Sequence, residues 1–536
     1  MANFNSSDVK QSRWREGEHF VWATGAALAL TLLMALTLIV TVMYNGLGMF
    51  WPRNLVALTM TDGTKYLGEI TQEEEAKGAD PARLQLKIAN RDIYGLDFTW
   101  VDAVNIQDRE IPTDAVVLER TSYGNFHGYL KSLAVAPNET GDALWNSFGN
   151  AWKDVLVRAE KLEEIDASLK ALGRRSEKLR TREFEALTAD PNADLSALDP
   201  EKAEHTAEFA RLENEKTTLS TELESVTATF LDASGTEKAI PLVQIVRYYK
   251  PNQISFTEKC RFYVSKTREL LFDNPREANT EGGLFPAIFG TVTLIFLMSI
   301  FSFPLGLLAG IYLREYATDG FMVRAVRIAV NNLAGIPSIV YGIFGLGFFV
   351  YGIGGAIDAL FFREQLPNAT FGTGGILWSS LTLGLLTVPV VIVATEEALG
   401  AIPRGIRESS LALGATKFQT LVRLLLPMAS PGIMTGFILA MARAAGEVAP
   451  LIITGVVKSA PSLPLDSTWP FIHFERKFMH LGFHIYDIGF QSPNVEAAKP
   501  MVFITTLLLV IIVLCMSSIA IYLRNKMKKR YTIGSI

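Results

Sequence analysis

The sequence predicts a mainly α membrane protein that has six spanning helices and an α+β domain inserted between the first two. Hydrophobic residues make up 49% of its 536 residues, and charged residues make up only 20%. The charge is concentrated in one block, because residues 46–283 hold 29 Lys and Arg and 40 Asp and Glu. This distribution excludes a wholly soluble protein, and it excludes a nucleic-acid-binding protein, which would be basic along its length.

Six stretches are long and apolar enough to cross a bilayer, which takes about 20 residues at about 1.5 Å of rise per residue. The first is too long for the core of a signal peptide and is expected to remain as an anchor helix at 20–45. Five of the six contain no charged side chain, and the other contains only Arg443 and Glu447. The six stretches lie within 20–52, 282–313, 328–357, 365–395, 432–457 and 500–523.

The basic residues between the spans predict the orientation of the chain. The segments on the side of the N-terminus hold 15 Lys and Arg, whereas the short loops on the opposite side hold five. Short basic loops stay in the cytoplasm, and long domains cross the membrane largely regardless of their charge. Both termini, 1–19 and the basic tail 525–536, are therefore predicted to be cytoplasmic, with the acidic block in the periplasm of a bacterial inner membrane.

The acidic block, 46–283, is predicted to have a β-rich base. Two apolar runs flank an Asp62-Gly63 turn, as they do in a β-hairpin. Other segments with the character of strands are 84–88, 240–249 and 261–265. The two histidines of the block, His127 and His205, do not have the spacing of metal ligands. The block is therefore expected to bind a partner or to act as a spacer, and not to catalyse a reaction.

A helical hairpin is predicted at about 150–228 within this block. Apolar residues recur there at three- and four-residue spacing on two segments, which are separated by Asp190-Pro191 and Asp199-Pro200. An antiparallel pair with facing apolar seams is the simplest interpretation. The hairpin is either a docking surface for a partner outside the membrane or a solvated appendage, and the sequence leaves both interpretations open.

The stretch at 396–430, between the fourth and fifth spans, is much longer than a link between two helices requires. Its pattern predicts a short helix, a turn at a glycine and a second helix that ends at a proline. Its characteristic residues are Glu408, Ser409, Ser410, Gly414, Leu424, Leu426 and Pro427. They resemble the EAA loop of ABC-importer permeases, although Ser stands at the second and third positions, where the family has Ala. The resemblance implies a coupling helix that sits in a groove of the ATP-hydrolysing subunit.

Three further stretches resemble the permease subunits of phosphate ABC importers. The first consists of 290–293, 304–307 and 311–316, the second is 331–342, and the third, 442–451, resembles the PstA subunit. Val448 stands where these permeases have Thr, and the long acidic block resembles the extended members that carry an added domain. The resemblance covers roughly 282–524 and the first span. It implies a six-helix permease of the type I ABC importer (MetI-like) class, with its five-helix core at 284–524.

The resemblance also implies a function and partners. The chain would translocate inorganic phosphate together with a PstC-like second permease subunit, a dimer of ATP-binding subunits and an external phosphate-binding protein, in contact with membrane lipid. No Gly-x4-Gly-Lys-Ser/Thr motif occurs in the sequence, so ATP is expected to be bound and hydrolysed by a partner. The chain itself is expected to be no enzyme and to bind no cofactor, no metal and no nucleic acid.

Arg443 and Glu447 are the first candidate residues of a substrate pathway. A charge at the bilayer centre costs about 2.5–3.5 kcal/mol even on the most lenient scale, and an arginine cannot avoid this cost by deprotonation. Its planar guanidinium suits phosphate, because it bonds two oxygens at once. A spacing of four residues would place both side chains on one helix face. The alternative is a static pair that fixes the packing of the helix.

The third predicted span contains the other candidates. Its apolar run is interrupted by Asn331, Asn332, Pro337 and Ser338. Interrupted helices often line the substrate route of a transporter, because irregular backbone in a membrane has to face protein or water. These four residues are therefore predicted to belong to the pathway. The alternative is a kinked helix that serves only for packing.

Three other functions remain compatible with the sequence. A related permease could carry another oxyanion, such as sulfate or molybdate, and substrate competition would distinguish it. An ATP-independent channel or secondary transporter would not need the coupling loop, so it would tolerate deletion of that loop. A membrane-anchored sensor or scaffold would not need a charged pair in a span, so Arg443→Ala would be silent.

Overall fold

The structure of the protein is a computed structural model that describes residues 18–76, 81–466, 469, 471–492 and 495–532. Helix α1 (Glu18–Leu47) continues into a 3-10 turn at Gly48–Phe50. The described residues contain six helical segments that are long and apolar enough to cross a membrane, which confirms the predicted number of spans. Most of the predicted N-terminal segment 1–19 lies outside the described residues.

Two five-stranded antiparallel sheets form the base of the domain that follows α1. The first consists of β1 (Leu55–Met60), β2 (Lys65–Glu74), β3 (Arg83–Lys87), β4 (Phe98–Asp102) and β5 (Ile106–Glu110). Its strands lie in the order β4-β3-β2-β1-β5. Leu58 pairs with Tyr66 across β1 and β2, and Gly63 in their turn has a φ of +86°. The predicted hairpin around Asp62-Gly63 is therefore confirmed.

The second sheet consists of β6 (Val116–Arg120), β7 (Phe126–Leu133), β8 (Thr227–Leu231), β9 (Glu237–Pro241) and β10 (Ile245–Tyr249). Its strands lie in the order β10-β6-β7-β8-β9. The predicted strand 240–249 is in fact two strands, because a 3-10 turn at Leu242–Gln244 separates β9 from β10. Helix α2 (Arg91–Tyr94) connects β3 to β4.

An antiparallel helical hairpin projects from the second sheet between β7 and β8. It consists of α3 (Gly141–Ala189) and the shorter α4 (Asp199–Ser225). Apolar side chains pack along its seam, and its buried members are Ile165, Leu172 and Leu212. Far along α3, Glu177 accepts a 3.4 Å hydrogen bond from Gln365, which lies in the loop after the third span. The hairpin therefore leans over the membrane core.

The predicted strand at 261–265 is wrong, because this segment lies inside helix α5 (Phe256–Phe272). Ser255 and Glu258 form a reciprocal capping box at its start, and such a box satisfies two backbone N–H groups that would otherwise lack partners. The aromatic residues at 262–263 favour a strand when they are considered alone. The cap and the contacts of α5 with the inserted domain outweigh that local preference.

The membrane core is helical and follows a short β-ribbon formed by β11 (Pro275–Arg276) and β12 (Glu281–Gly282). Its helices are α6 (Phe285–Ile311), α7 (Phe321–Leu333), α8 (Ser338–Phe344), α9 (Gly355–Phe361), α10 (Ile376–Gly400), α11 (Arg404–Ala412), α12 (Lys417–Thr420), α13 (Leu426–Gly446), α14 (Ala449–Thr454), α15 (Leu481–Tyr486) and α16 (Val495–Thr532). Wider π-helical turns lie at Tyr312–Tyr316, Gly345–Gly354, Leu421–Leu425 and Asp487–Gln491.

Among the predicted spans, the third and the fifth are displaced in the structure. The third runs from Ser338 to Phe361 and not from 328, because the chain turns between α7 and α8 at Pro337. The fifth runs from Lys417 to Gly446 and not from 432 to 457. It ends there because Glu447 has an extended backbone and Pro450 starts a new helix, α14.

Helix α10 lies at the centre of the core, between α6 and α13. Small residues permit close contact with both neighbours, since a Cβ added to Gly310 would lie 2.6 Å from Thr395 and one added to Gly436 would lie 2.1 Å from Ala394. Such small-residue contacts are typical of helix packing in membranes. The core is therefore a tightly packed bundle in which bulkier residues at these glycines would separate the helices.

Candidate functional site

The loop between α10 and α13 is a compact knuckle built by local sequence signals. Helix α11 starts directly after Pro403 and ends before Gly414, which has a φ of +84°. A left-handed φ of this kind favours glycine, because it carries no Cβ. Thr416 then caps α12 through a reciprocal box with Gln419. The predicted pattern of helix, glycine turn and helix is confirmed.

Arg407 anchors this knuckle to the membrane core. Its guanidinium lies 2.8 Å from Glu315, at the end of the second span, and donates to the carbonyl oxygens of Ile402 (2.7 Å) and Leu399 (2.6 Å). Ser410 also lies 2.9 Å from Thr420, which joins α11 to α12. The knuckle is therefore held to the bundle as one unit.

The opposite side of the knuckle is exposed and partly apolar. Every residue of α11 is at least partly accessible to solvent, and the side chains of Leu413 and Phe418 are 89% and 66% exposed. Glu408 and Ser409 are exposed, and Ser410 is half-buried. Large apolar side chains that cluster on a surface are typical of an interaction site. This surface can therefore receive a partner protein.

The remaining residues predicted for this loop have a different place. Leu424, Leu426 and Pro427 are half-buried at the start of the fifth span, and Leu426 packs against the cluster of Leu399, Leu421 and other apolar residues. They belong to the helix that carries the knuckle and not to its exposed face. The proline follows the π-helical turn Leu421–Leu425.

Arg443 and Glu447 lie together at the end of α13, as their four-residue spacing predicts. Arg443 is in the last turn of α13, whereas Glu447 follows the end of the helix with an extended ψ of 132°. The Arg443 Nε atom lies 3.6 Å from the Glu447 Oε1 atom, and the two side chains are 39% and 20% exposed. The predicted ion pair is therefore present, and the helix ends directly after it.

Three of the four candidates of the third span lie just before that span, and Ser338 is its first residue. Asn331 and Asn332 are exposed near the end of α7, Pro337 is exposed in the turn, and Ser338 begins α8. Helix α7 is amphipathic, with exposed apolar residues such as Phe321 and Met322. The interruption is therefore a turn between two helices and not a kink in one.

Tyr341 connects these two groups of residues. Its hydroxyl donates a 2.8 Å hydrogen bond to the carbonyl oxygen of Leu333, at the end of α7, and its side chain is close enough to Arg443 for an electrostatic interaction. It also packs in the same buried cluster as Ala444. The turn after Asn332 and the charged pair thus belong to one region of the core.

Sequence reasoning missed Tyr341, Glu315 and the role of Arg407. The contact between Arg407 and Glu315 joins residues 92 positions apart, and no local pattern indicates such a pair. Tyr341 lies only a few residues after Pro337 and Ser338. Its polar hydroxyl within an apolar span is a local signal that could have indicated it. The described residues contain no group of three or more His, Cys, Asp and Glu that could hold a metal ion.

Comparisons with known proteins agree with this arrangement. Residues 302–529 match the family described as binding-protein-dependent transport system inner membrane component. The chain is 35% identical over 189 residues to a probable phosphate transport system permease protein PstA of Methanocaldococcus jannaschii, with 35% of this chain and 60% of that protein covered. It is 36% identical over 185 residues to PstA 1 of Mycobacterium tuberculosis, with 34% and 54% covered.

A third relative is matched over a larger part of its length. The chain is 31% identical over 224 residues to the probable ABC transporter permease protein YqgI of Bacillus subtilis, with 40% of this chain and 70% of that protein covered. The match spans less than two thirds of each of the two PstA relatives. The chain belongs to the family of ABC transporter permeases, and within that family it resembles the PstA permeases.

Proposed function

We propose that this chain is the membrane-spanning subunit of an importer that moves inorganic phosphate across a bacterial inner membrane. ATP hydrolysis by a separate subunit drives the transport. Two relatives are phosphate transport permeases by name. The observation that carries the proposal is the partly exposed guanidinium of Arg443 at the end of a spanning helix, next to Glu447.

The charged pair suits weak and reversible binding of phosphate. At 3.6 Å the Arg443–Glu447 contact is an ion pair without a close hydrogen bond. The planar guanidinium can therefore donate two N–H groups to phosphate oxygens. The carboxylate of Glu447 offsets part of the positive charge, which keeps the affinity low enough for phosphate to leave.

The turn between α7 and α8 forms the second part of the proposed route. The polar side chains on either side of it, Asn331 and Asn332 in α7 and Ser338 in α8, can hydrogen-bond an anion without holding it as tightly as a charge would. Pro337 caps the start of α8, and the irregular backbone between Leu333 and Ser338 has to face protein or a wet cavity if it lies in the membrane. The hydrogen bond from Tyr341 to Leu333 and the electrostatic interaction of Tyr341 with Arg443 support a route that includes both the turn and the charged pair.

The knuckle couples this route to ATP hydrolysis. Its exposed face, which includes Glu408, Leu413 and Phe418, fits a groove of an ATP-binding subunit, and Arg407 transmits movement to the second span. A dimer of ATP-binding subunits would draw two such knuckles together, one from this chain and one from a second, PstC-like permease subunit. The membrane helices would then rearrange and open the route on the other side.

The orientation follows from the distribution of basic residues. The knuckle and both termini would lie in the cytoplasm, because short basic segments are retained there. The inserted domain, with its hairpin leaning over the loop that contains Gln365, would lie in the periplasm. An external phosphate-binding protein would deliver its ligand on that side.

The test is ATP-driven uptake of labelled phosphate into vesicles that contain the assembled transporter. Arg443→Ala is expected to reduce uptake at least tenfold, because the loss of one charge-assisted hydrogen bond has about that effect. Arg443→Lys keeps the charge but not the planar set of donors, so its uptake should lie between that of the wild type and that of Arg443→Ala. Arsenate should compete with phosphate, whereas sulfate should not.

A matched control is Arg158→Ala, which removes an exposed arginine that also pairs with a carboxylate four residues away, Asp154. This variant should transport phosphate like the wild type. Full uptake by Arg443→Ala would assign Arg443 to packing. Competition by sulfate would assign the transporter to another oxyanion.

A further inference from the structure

A hollow separates the inserted domain from the ends of the first and last spanning helices. It has a volume of about 920 Å³ and adjoins a smaller cavity of about 120 Å³ with several of the same lining residues, among them Trp51, Arg53 and Lys87. Ligand pockets commonly have volumes of roughly 300–1,000 Å³. The hollow is therefore large enough for a small organic molecule.

The floor of the hollow consists of the ends of α1 and α16. Tyr44 and Asn45 line it from α1, and Pro500 and Phe503 line it from α16. Tyr44 is 81% exposed on the outer face of the bundle, where lipid surrounds the helices. Tyrosine and tryptophan at helix ends are typical of the head-group layer of a membrane. The hollow therefore lies at the level of the lipid head groups and can be reached from the bilayer.

The walls of the hollow carry charges of both signs that are not closed into ion pairs. Glu69 on β2 and Lys87 on β3 are register partners on neighbouring strands, so their side chains point to the same face. Arg53 and Glu281 line the same cavity. Among the described residues, these four side chains form no ion pair within 4 Å, although the carbonyl oxygens of Ile70 and Thr71 accept from Arg53.

Other charged side chains in the same walls form ion pairs, so the four that form none are distinctive. Lys266 lies 2.7 Å from Glu119 and 3.2 Å from Glu269, and Lys499 lies 2.6 Å from Glu496. Opposite charges in a partly buried site attract each other strongly when nothing lies between them. Two cations and two carboxylates that remain apart around one cavity are suited to a ligand that itself carries both charges.

The protein surroundings of the two carboxylates disfavour their charged forms. Burial raises the pKa of Glu69 above its usual range, although Lys87 and Arg53 act in the opposite direction. Burial likewise raises the pKa of Glu281. A cationic group placed between these carboxylates would restore a favourable environment for their charged forms.

We propose that this hollow binds the head group of an aminophospholipid from the leaflet that faces the inserted domain. The phosphate would lie against Lys87 and Arg53, and the ammonium would lie against Glu69 and Glu281. The acyl chains would remain in the bilayer beside Tyr44. The bound lipid would join the inserted domain to the first and last spans, and this role is independent of the transported substrate.

The charge pattern favours this class of lipid over the alternatives. Phosphatidylglycerol and cardiolipin carry phosphate without an amine, so they would leave Glu69 and Glu281 without a counter-ion. Phosphatidylcholine has a quaternary ammonium that cannot donate hydrogen bonds to a carboxylate. A soluble zwitterion with the same groups has the same chemistry but no anchor in the bilayer.

The experiment measures lipid retention by the full-length chain. The protein is purified in detergent, stripped of lipid, and incubated with phosphatidylethanolamine, phosphatidylglycerol or phosphatidylcholine that have identical acyl chains. Native mass spectrometry then counts the lipids that remain bound. One phosphatidylethanolamine is expected to be retained with about tenfold preference over either other lipid, as one additional charge-assisted contact predicts.

Variants locate the binding site. Lys87→Gln and Glu69→Gln should each reduce retention of phosphatidylethanolamine about tenfold. The matched controls are Lys131→Gln and Glu237→Gln, which each break an exposed ion pair elsewhere in the inserted domain. Both control variants should retain the lipid. If Glu69→Gln does not fold, Glu281→Gln tests the same ammonium site from a different strand.

Three outcomes would overturn the proposal. One is equal retention of phosphatidylethanolamine and phosphatidylglycerol by the wild type. Another is unchanged retention by Lys87→Gln in a protein with an unaltered circular dichroism spectrum. The third is complete displacement of the lipid by soluble glycerophosphoethanolamine at an equal concentration, which would assign the hollow to a soluble ligand.

Discussion

Arg407 and Glu315 form a 2.8 Å contact that connects the exposed knuckle after the fourth span to the end of the second span. The same guanidinium donates to two carbonyl oxygens at the end of α10 and in the turn that follows. One side chain therefore holds three parts of the chain together. In the proposed transporter, this contact transmits the movement of the ATP-binding subunits to the membrane helices.

Replacement of this arginine should uncouple ATP hydrolysis from transport. In the assembled complex, Arg407→Ala is expected to reduce phosphate uptake at least tenfold while ATP hydrolysis continues, because the knuckle loses its attachment to the second span. Arg407→Lys should be only partly active, since a lysine cannot reproduce the planar set of donors. Uptake and hydrolysis are measured in the same vesicles.

The control for this prediction is Arg404→Ala. Arg404 is an exposed residue in the first turn of the same helix, and its loss should leave the ratio of uptake to hydrolysis unchanged. A normal ratio in Arg407→Ala would show that the contact with Glu315 stabilises the fold without taking part in coupling.

Gly414 should tolerate β-branched residues poorly. Its φ of +84° is in the left-handed region, where a residue such as valine is strained by about 1–3 kcal/mol. Gly414→Val is therefore expected to increase hydrogen exchange and proteolytic cleavage between α11 and α12. The comparison is Gly405→Ala inside α11, where an added Cβ meets no atom within 4 Å and should be neutral or stabilising. Equal protection of the two variants would contradict the prediction.

The close contact between α13 and α10 depends on Gly436. A Cβ at this position would lie 2.1 Å from the Cβ of Ala394, so Gly436→Leu should force the two helices apart and cost at least about 1–3 kcal/mol. We expect lower yield and a lower thermal midpoint in detergent. Gly347→Leu is the matched variant, because space for a Cβ is open there. If both variants melt at the same temperature, the contact does not limit stability.

The inserted domain should lose stability as the pH falls below about 6.5. Burial lowers the pKa of His127 to about 3, with a smaller effect in the same direction from Lys87 and Arg120. The unfolded chain therefore binds a proton between about pH 6.5 and pH 3 that the folded chain does not bind. Over this interval stability should decrease by up to about 1.4 kcal/mol for each pH unit, and above it this contribution should be constant.

The measurement is the free energy of opening of β7, obtained from hydrogen exchange of the full chain at pH 7 and pH 5 after correction for the intrinsic exchange rate. His127→Gln should reduce the difference between the two pH values, because glutamine does not titrate. His205→Gln, on the helical hairpin, should leave that difference unchanged. A difference that survives in His127→Gln would assign the pH dependence to other groups.

Local patterns were sufficient for the elements that depend on neighbouring residues. The six spans follow from apolar length, since any helix in a bilayer needs about 20 such residues. The hairpin at Asp62-Gly63 and the glycine turn of the knuckle follow from backbone preferences. The capping box of Ser255 and Glu258 is an equally local signal, and it favours a helix over the strand that the residues at 261–265 predict when they are considered alone.

Contacts between distant residues were decided by the tertiary structure. The attachment of Arg407 to Glu315, and the meeting of Glu69 with Glu281 around one hollow, depend on helices and strands that are far apart in the sequence.

The sequence by itself determined the membrane-spanning architecture, the acidic inserted domain and the family to which the chain belongs. These properties depend on composition, spacing and short motifs, which are local. Only the tertiary structure decided which charged side chains form ion pairs, which line a cavity without an ion pair, and which face of the knuckle is exposed. Those properties depend on packing, because a charge-charge distance or a buried surface exists only once separate segments have been brought together.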